Sequence, residues 1–178
     1  MVIDLLLLLA GYWLASSLHT FVSITRRLSS SAATIVSRLS SLNKLLNKRG
    51  LTSLVLALAI IVFWHVPAML DAALLSYRLH LIMHASVLLA GCLIYVGFKM
   101  LSPNMRLLAY LLGCKGMAIF GAFLLVSPIA VYGSYPYFEQ AEAGAAMVAM
   151  CIASDATIVP IWLKRYFSKK ETKTLSHT

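Results

Sequence analysis

At 178 residues and 61% hydrophobic, the chain is more apolar than a soluble domain, where roughly 45–50% is usual. Its formal net charge of +9 would suggest nucleic acid in a soluble protein, but the Lys and Arg residues sit in loops and tails between apolar runs, where they act as topology signals; nucleic acid is therefore excluded as a partner. Cys92, Cys114 and Cys151 all fall inside apolar runs, form no disulfide framework and read first as small buried hydrophobes.

The apolar runs predict an all-α polytopic membrane protein, a bundle of about five transmembrane helices. They cover residues 2–24, 51–75, 79–101, 107–127 and 141–166. With no water in the bilayer core, each run must pair its backbone internally, and a helix does so. The first run lacks a basic start, carries Asp4 and is followed by Arg26 and Arg27, the pattern of an uncleaved span and not of a signal peptide. Behind it, Leu28, Ala32, Ile35, Leu39, Leu42 and Leu46 recur at helical spacing among arginine, lysine and serine. Segment 28–46 is either an amphipathic helix on the cytoplasmic membrane surface or a plain charged connector. The loop at 128–140 is rich in Tyr, Pro and Gly and suits the headgroup level.

Basic residues concentrate at 25–50, at Lys99 and Arg106, and from Lys164 onward. The opposite side holds only Arg78 together with Asp4, Asp71, Glu139 and Glu142. The positive-inside rule puts the N-terminus outside and the C-terminus in the cytoplasm. The expected organisation is one transmembrane domain over 1–167 and a basic cytoplasmic tail over 168–178, multi-pass in the cell (plasma) membrane.

Polar groups inside spans are costly in lipid and so are informative. His80 and His84 are four apart and share one helix face, a spacing that lets two imidazoles meet one metal ion. Counted from the flanking cations at ~1.5 Å per residue, His65, His84 and His80 lie roughly 24, 22 and 28 Å above the inner boundary. Pro67 should kink the helix beside His65. Asp71, Met69 and Met83 are near in sequence; imidazole suits Cu, Zn and Fe, and thioether favours Cu(I). A site holding metal or haem competes here with structural or proton-handling histidines.

Lys115 lies nine residues beyond Arg106 and Asp155 nine before Lys164, so both sit roughly 13 Å from the inner boundary. Paired, they neutralise each other; a structural ion pair between two helices ranks ahead of a proton relay. His19, Cys92 and Cys114 fall at similar depth, which reads as coincidence more than as an inner metal stop. No nucleophile elbow, P-loop, dinucleotide fingerprint or CxxC appears, so the chain reads as a non-enzyme.

The stretch FWHVPAMLDAALLSYRLHLIMHASVLLAG resembles a segment of the CtaG-type membrane proteins of cytochrome c oxidase assembly. The matching positions are His65, Pro67, the LDAAL of 70–74, His80, His84 and Leu89-Ala90-Gly91. FEQAEAGAAMVAM at 138–150 is similar to the family's late segment, with Gln140, Ala143-Gly144 and Met147 in place and Val148 where the family has Trp. The chain departs from the family in having fewer spans and a single early histidine, His19, as shortened archaeal relatives of unassigned function do.

The resemblance implies assembly or copper maturation of a haem–copper terminal oxidase, with subunits of a terminal oxidase or other respiratory complex as partners. In that reading His65, His80 and His84 bind copper, Asp71 orients an imidazole, and Met69 and Met83 support them. One alternative is a haem b-binding subunit of a membrane respiratory complex with His65 and His84 as axial ligands, or a purely structural one. Another is a proton-handling, transporter-like protein centred on Lys115 and Asp155.

Overall fold

The computed structural model describes residues 2–28 and 50–175. Beyond Leu28, the amphipathic segment expected over 28–46 lies outside the described residues, as do residues 176–178 of the tail. Six α-helices and no strand occur among the described residues: α1 (Val2–Leu28), α2 (Leu51–His65), α3 (Pro67–Leu75), α4 (Tyr77–Met100), α5 (Pro103–Val126) and α6 (Tyr137–Leu175).

Three helices, α4, α5 and the Tyr137–Lys164 part of α6, are long and apolar enough to cross a membrane, and α2 with α3 makes a fourth candidate if the bent pair is one span. Leu6–Thr20 of α1 is a shorter apolar helix. The protein is thus an all-α membrane protein with three or four candidate spans, where sequence patterning predicts about five by counting α1 as well.

The α2–α3 pair bends by 71°, and the cause is local. Pro67 offers no N–H and pushes the residue before it out of the helical region. Val66 accordingly sits at φ −67°, ψ 124° and caps both helices. Its N–H reaches Phe63 O at 3.3 Å, and its carbonyl accepts Met69 N–H at 2.9 Å and Leu70 N–H at 3.1 Å. A second extended residue, Ser76, separates α3 from α4, and its carbonyl takes His80 N–H at 2.9 Å.

The helices group into two compact units, residues 1–102 with 132–134, and residues 103–131 with 135–178. In the first, α4 packs against α1, α2 and α3. Its apolar centre joins Trp64, Ala73, Met83 and Val87, with Leu7, Leu8, Ile60 and Leu70 against them. The Trp64 indole would be costly unpaired there; it donates to Ser86 Oγ at 2.7 Å, and that hydroxyl donates to Met83 O at 2.8 Å. α1 and α4 meet at Gly11 and Gly91, where backbone lies against backbone.

In the second unit α5 and α6 run antiparallel, with Tyr110 opposite Ser154 and Gly121 opposite Gly144. Buried Gln140 ties the preceding loop: its Oε1 accepts Val131 N–H and its Nε2 donates to Tyr135 O, both at 2.8 Å. Outward residues such as Trp13, Leu112 and Ile119 are 67–71% exposed, as lipid-facing side chains should be.

Candidate functional site

α4 carries His80 and His84 one turn apart, and the two rings meet edge to face with centroids 4.3 Å apart at 67°. His80 Nδ1 is buried and has no hydrogen-bond partner among the described residues. An unpartnered buried ring nitrogen is uncommon, because its desolvation is not compensated. The pair therefore presents a ligating atom that the protein itself leaves unsatisfied.

His65 closes α2, and its Nδ1 donates to Ile61 O at 2.7 Å, one turn back. A carbonyl only accepts, so Nδ1 carries a proton in that bond. The expected convergence of His65, His80 and His84 on one ion does not appear: among the described residues no group of three or more His, Cys, Asp or Glu is placed to hold a metal.

Among the described residues, the partners of Asp71 lie in the 132–134 loop. Its carboxylate accepts Gly133 N–H at 3.1 Å and Ser134 N–H at 3.0 Å, anchoring the 132–134 loop to α3. Met83 is a core residue beside Trp64 and Val87, and Met69 is exposed on α3. The same loop buries Tyr132, whose hydroxyl donates to the His65 carbonyl at 2.9 Å. That carbonyl lies at the helix break, where Pro67 and the turn deprive the last carbonyls of α2 of their usual N–H donors. The loop thus reaches the His65 end of α2 through the Tyr132 side chain and is anchored on α3 by Asp71.

Burial, with the Asp71 carboxylate adding to it, pushes the Tyr132 phenol from 10.0 up to about 12. A raised folded-state value means that this contribution is whole below pH 10 and is lost as pH rises toward 12, because the unfolded chain releases the proton first. Tyr132→Phe is expected to cost about 1 kcal/mol near neutrality. It should also flatten the alkaline fall in thermal stability between those values, a difference readable from unfolding in detergent at stepped pH.

In the second unit the Lys115 ammonium pairs with Asp155 Oδ2. Asp155 Oδ1 accepts from Tyr110 at 3.2 Å, and Tyr110 also donates to Ser154 Oγ at 2.7 Å. The ion pair that the matching nine-residue offsets bring to one level is held inside a wider polar network. His19 contacts Lys99, and Cys92 donates to Gly11 O at 3.1 Å; both belong to the first unit, whereas Cys114 belongs to the second.

The family model for cytochrome c oxidase caa3 assembly factors (Caa3_CtaG) matches residues 1–166. The chain belongs to this family. No curated protein and no solved structure matches it. In this caa3 assembly-factor relative, sequence patterning passes over Tyr132, Tyr110 and Ser154. Tyr132 carries no local signal, since its partners lie some sixty residues away in the chain. Tyr110 and Ser154 were accessible in principle: the register that pairs Lys115 with Asp155 sets Tyr110 one turn from Cys114 and opposite Ser154.

Proposed function

We propose that the protein serves in the assembly of a haem–copper cytochrome oxidase by holding copper briefly at the His80–His84 pair. The family match supports the assembly role, and the buried, unpartnered His80 Nδ1 carries the site. Copper is cargo here. Imidazole nitrogen is a competent donor for it, and a pair of adjacent imidazoles binds while keeping the ion labile enough to pass on. His80 and His84 act as the ligands, and the Asp71-anchored loop with Tyr132 steadies the α2 end of the same unit.

In this reading the partner is an oxidase subunit receiving the metal in the cell membrane. α1 counts as a span, which gives about five, with the N-terminus outside and the C-terminus in the cytoplasm. The protein purified in mild detergent, loaded with Cu(I) and washed, should retain copper and show no Soret band. Loss of the nitrogen-ligated copper, seen by X-ray absorption, in His84→Ala, with the helical content unchanged, is the expected companion result. Stoichiometric iron with a Soret band would move the histidines to haem ligation and overturn the copper assignment.

A further inference from the structure

The α5–α6 interface contains a second donor set that the histidine reading does not use. The two helices touch at Gly121 and Gly144, where an added Cβ on Gly144 would sit 2.4 Å from Gly121 O. Only glycine permits that approach, and the close spacing extends along the antiparallel pair. Seven residues from the crossing on each helix stand Cys114 and Cys151, 8% and 2% exposed.

Each thiol crosses to the other's backbone. Cys151 Sγ donates to Cys114 O at 2.9 Å, and Cys114 Sγ to Cys151 O at 3.8 Å. Thiols are weak hydrogen-bond donors, so these bonds are easily given up to a stronger partner. Around them lie Ser154 Oγ at 3.7 Å and Asp155 Oδ1 at 3.8 Å from Cys114 Sγ, with the Lys115 ammonium on the same carboxylate.

From this geometry we infer that Cys114 and Cys151 form an intramembrane site for a soft monovalent cation, Cu(I), held between two thiolates. The donor count selects the ion. Zn(II) and iron–sulfur clusters need about four protein donors, and among the described residues no group of three or more metal-binding side chains occurs. Cu(I) is satisfied by two sulfurs on opposite sides, which two facing helices supply. Hard cations are disfavoured by thiolate donors.

Binding exchanges protons for metal without any redox change. One Cu(I) enters, two S–H bonds break, two Cu–S bonds form, and two protons leave. The bis-thiolate complex carries one negative charge, which is costly in lipid unless a cation stands beside it. Lys115, which holds Asp155 beside Cys114 Sγ, becomes that cation once Asp155 takes up one of the two protons the thiols release. The proposal is independent of the His80–His84 reading, because its ligands lie in the other unit.

The test uses full-length protein in detergent, titrated anaerobically with Cu(I) against the chelator bicinchoninate. His80→Ala/His84→Ala, which removes the other proposed site, should still bind one Cu(I), with sulfur neighbours in X-ray absorption. In that background Cys114→Ser or Cys151→Ser, near-isosteric and kind to the packing, should weaken binding roughly a hundredfold or more. Lys115→Met should weaken it by about tenfold with both thiols intact. Cys92→Ser, whose thiol faces Gly11 instead, should leave it unchanged. Cu(I) affinity unaffected by either serine variant, or only nitrogen and oxygen neighbours in the absorption spectrum, would overturn the thiol site. Loss of all Cu(I) in the histidine double variant would do the same while leaving the histidine reading in place.

Discussion

His80→Leu is expected to abolish copper retention at the histidine pair and at the same time to raise the thermal stability of the protein in detergent. The two effects share one cause. His80 Nδ1 is buried without a partner, so the native chain carries an uncompensated desolvation cost of about 1–3 kcal/mol. Leucine fills similar space with no polar atom and removes that cost. A histidine retained only for packing would behave in the opposite way, since its replacement would break a satisfied contact. Thermal unfolding of wild type and His80→Leu, read beside nitrogen-ligated copper, separates the cases: a higher midpoint with that copper lost fits a ligand kept at the expense of stability. A lower midpoint with copper unchanged would assign His80 to structure.

The second large effect is steric. At the α1–α4 crossing a Cβ on Gly91 would lie 2.2 Å from Leu8 O, and one on Gly11 2.0 Å from Leu88 O. Both obstacles are backbone, which cannot swing aside as a long side chain can. Gly91→Val should therefore force the two helices apart and cost about 3 kcal/mol or more, at the upper end of overpacking penalties. Because the same crossing sets the position of α4, copper retention should fall with it. Gly113→Ala is the control. Nothing lies within 4 Å of its added methyl, and alanine favours the helix, so this variant should be neutral or more stable by up to about 1 kcal/mol. Unfolding by a denaturing detergent, followed by circular dichroism, compares the pair; equal behaviour of the two variants would show that the crossing does not hold the unit together.

How far the sequence discloses this molecule follows from the range of each signal. Helices and their apolar character are local properties, and the runs of Leu, Ile, Val and Ala state them directly. The break beside His65 is local too, because Pro67 acts on its own neighbours. The meeting of Lys115 with Asp155 needs one further inference, that two charges equally far from flanking cations lie at one level, and the structure pairs them. The same register would have set Cys114 against Cys151, a step that sequence patterning stopped short of by treating the cysteines as small hydrophobes.

The proposed histidine pair is legible only in part. His80 and His84 are placed by helix periodicity alone, and their rings meet. His65 stands at a helix end, where its Nδ1 bonds Ile61 O, a contact that depth along the helix does not announce. Asp71 depends on a loop that returns from residues 133–134, and no pattern near Asp71 announces it. Depth counted along a helix gives height and leaves azimuth unassigned, and ligand convergence needs both.

The most direct test of the account is the copper-to-haem ratio of the terminal oxidase purified from host membranes that lack this protein, with wild type or the His80→Ala/His84→Ala variant supplied back. The account predicts an oxidase with its haem in place and its copper depleted, restored by the wild type and not by the variant. A fully coppered oxidase in the protein's absence, or full restoration by the histidine variant, would contradict it.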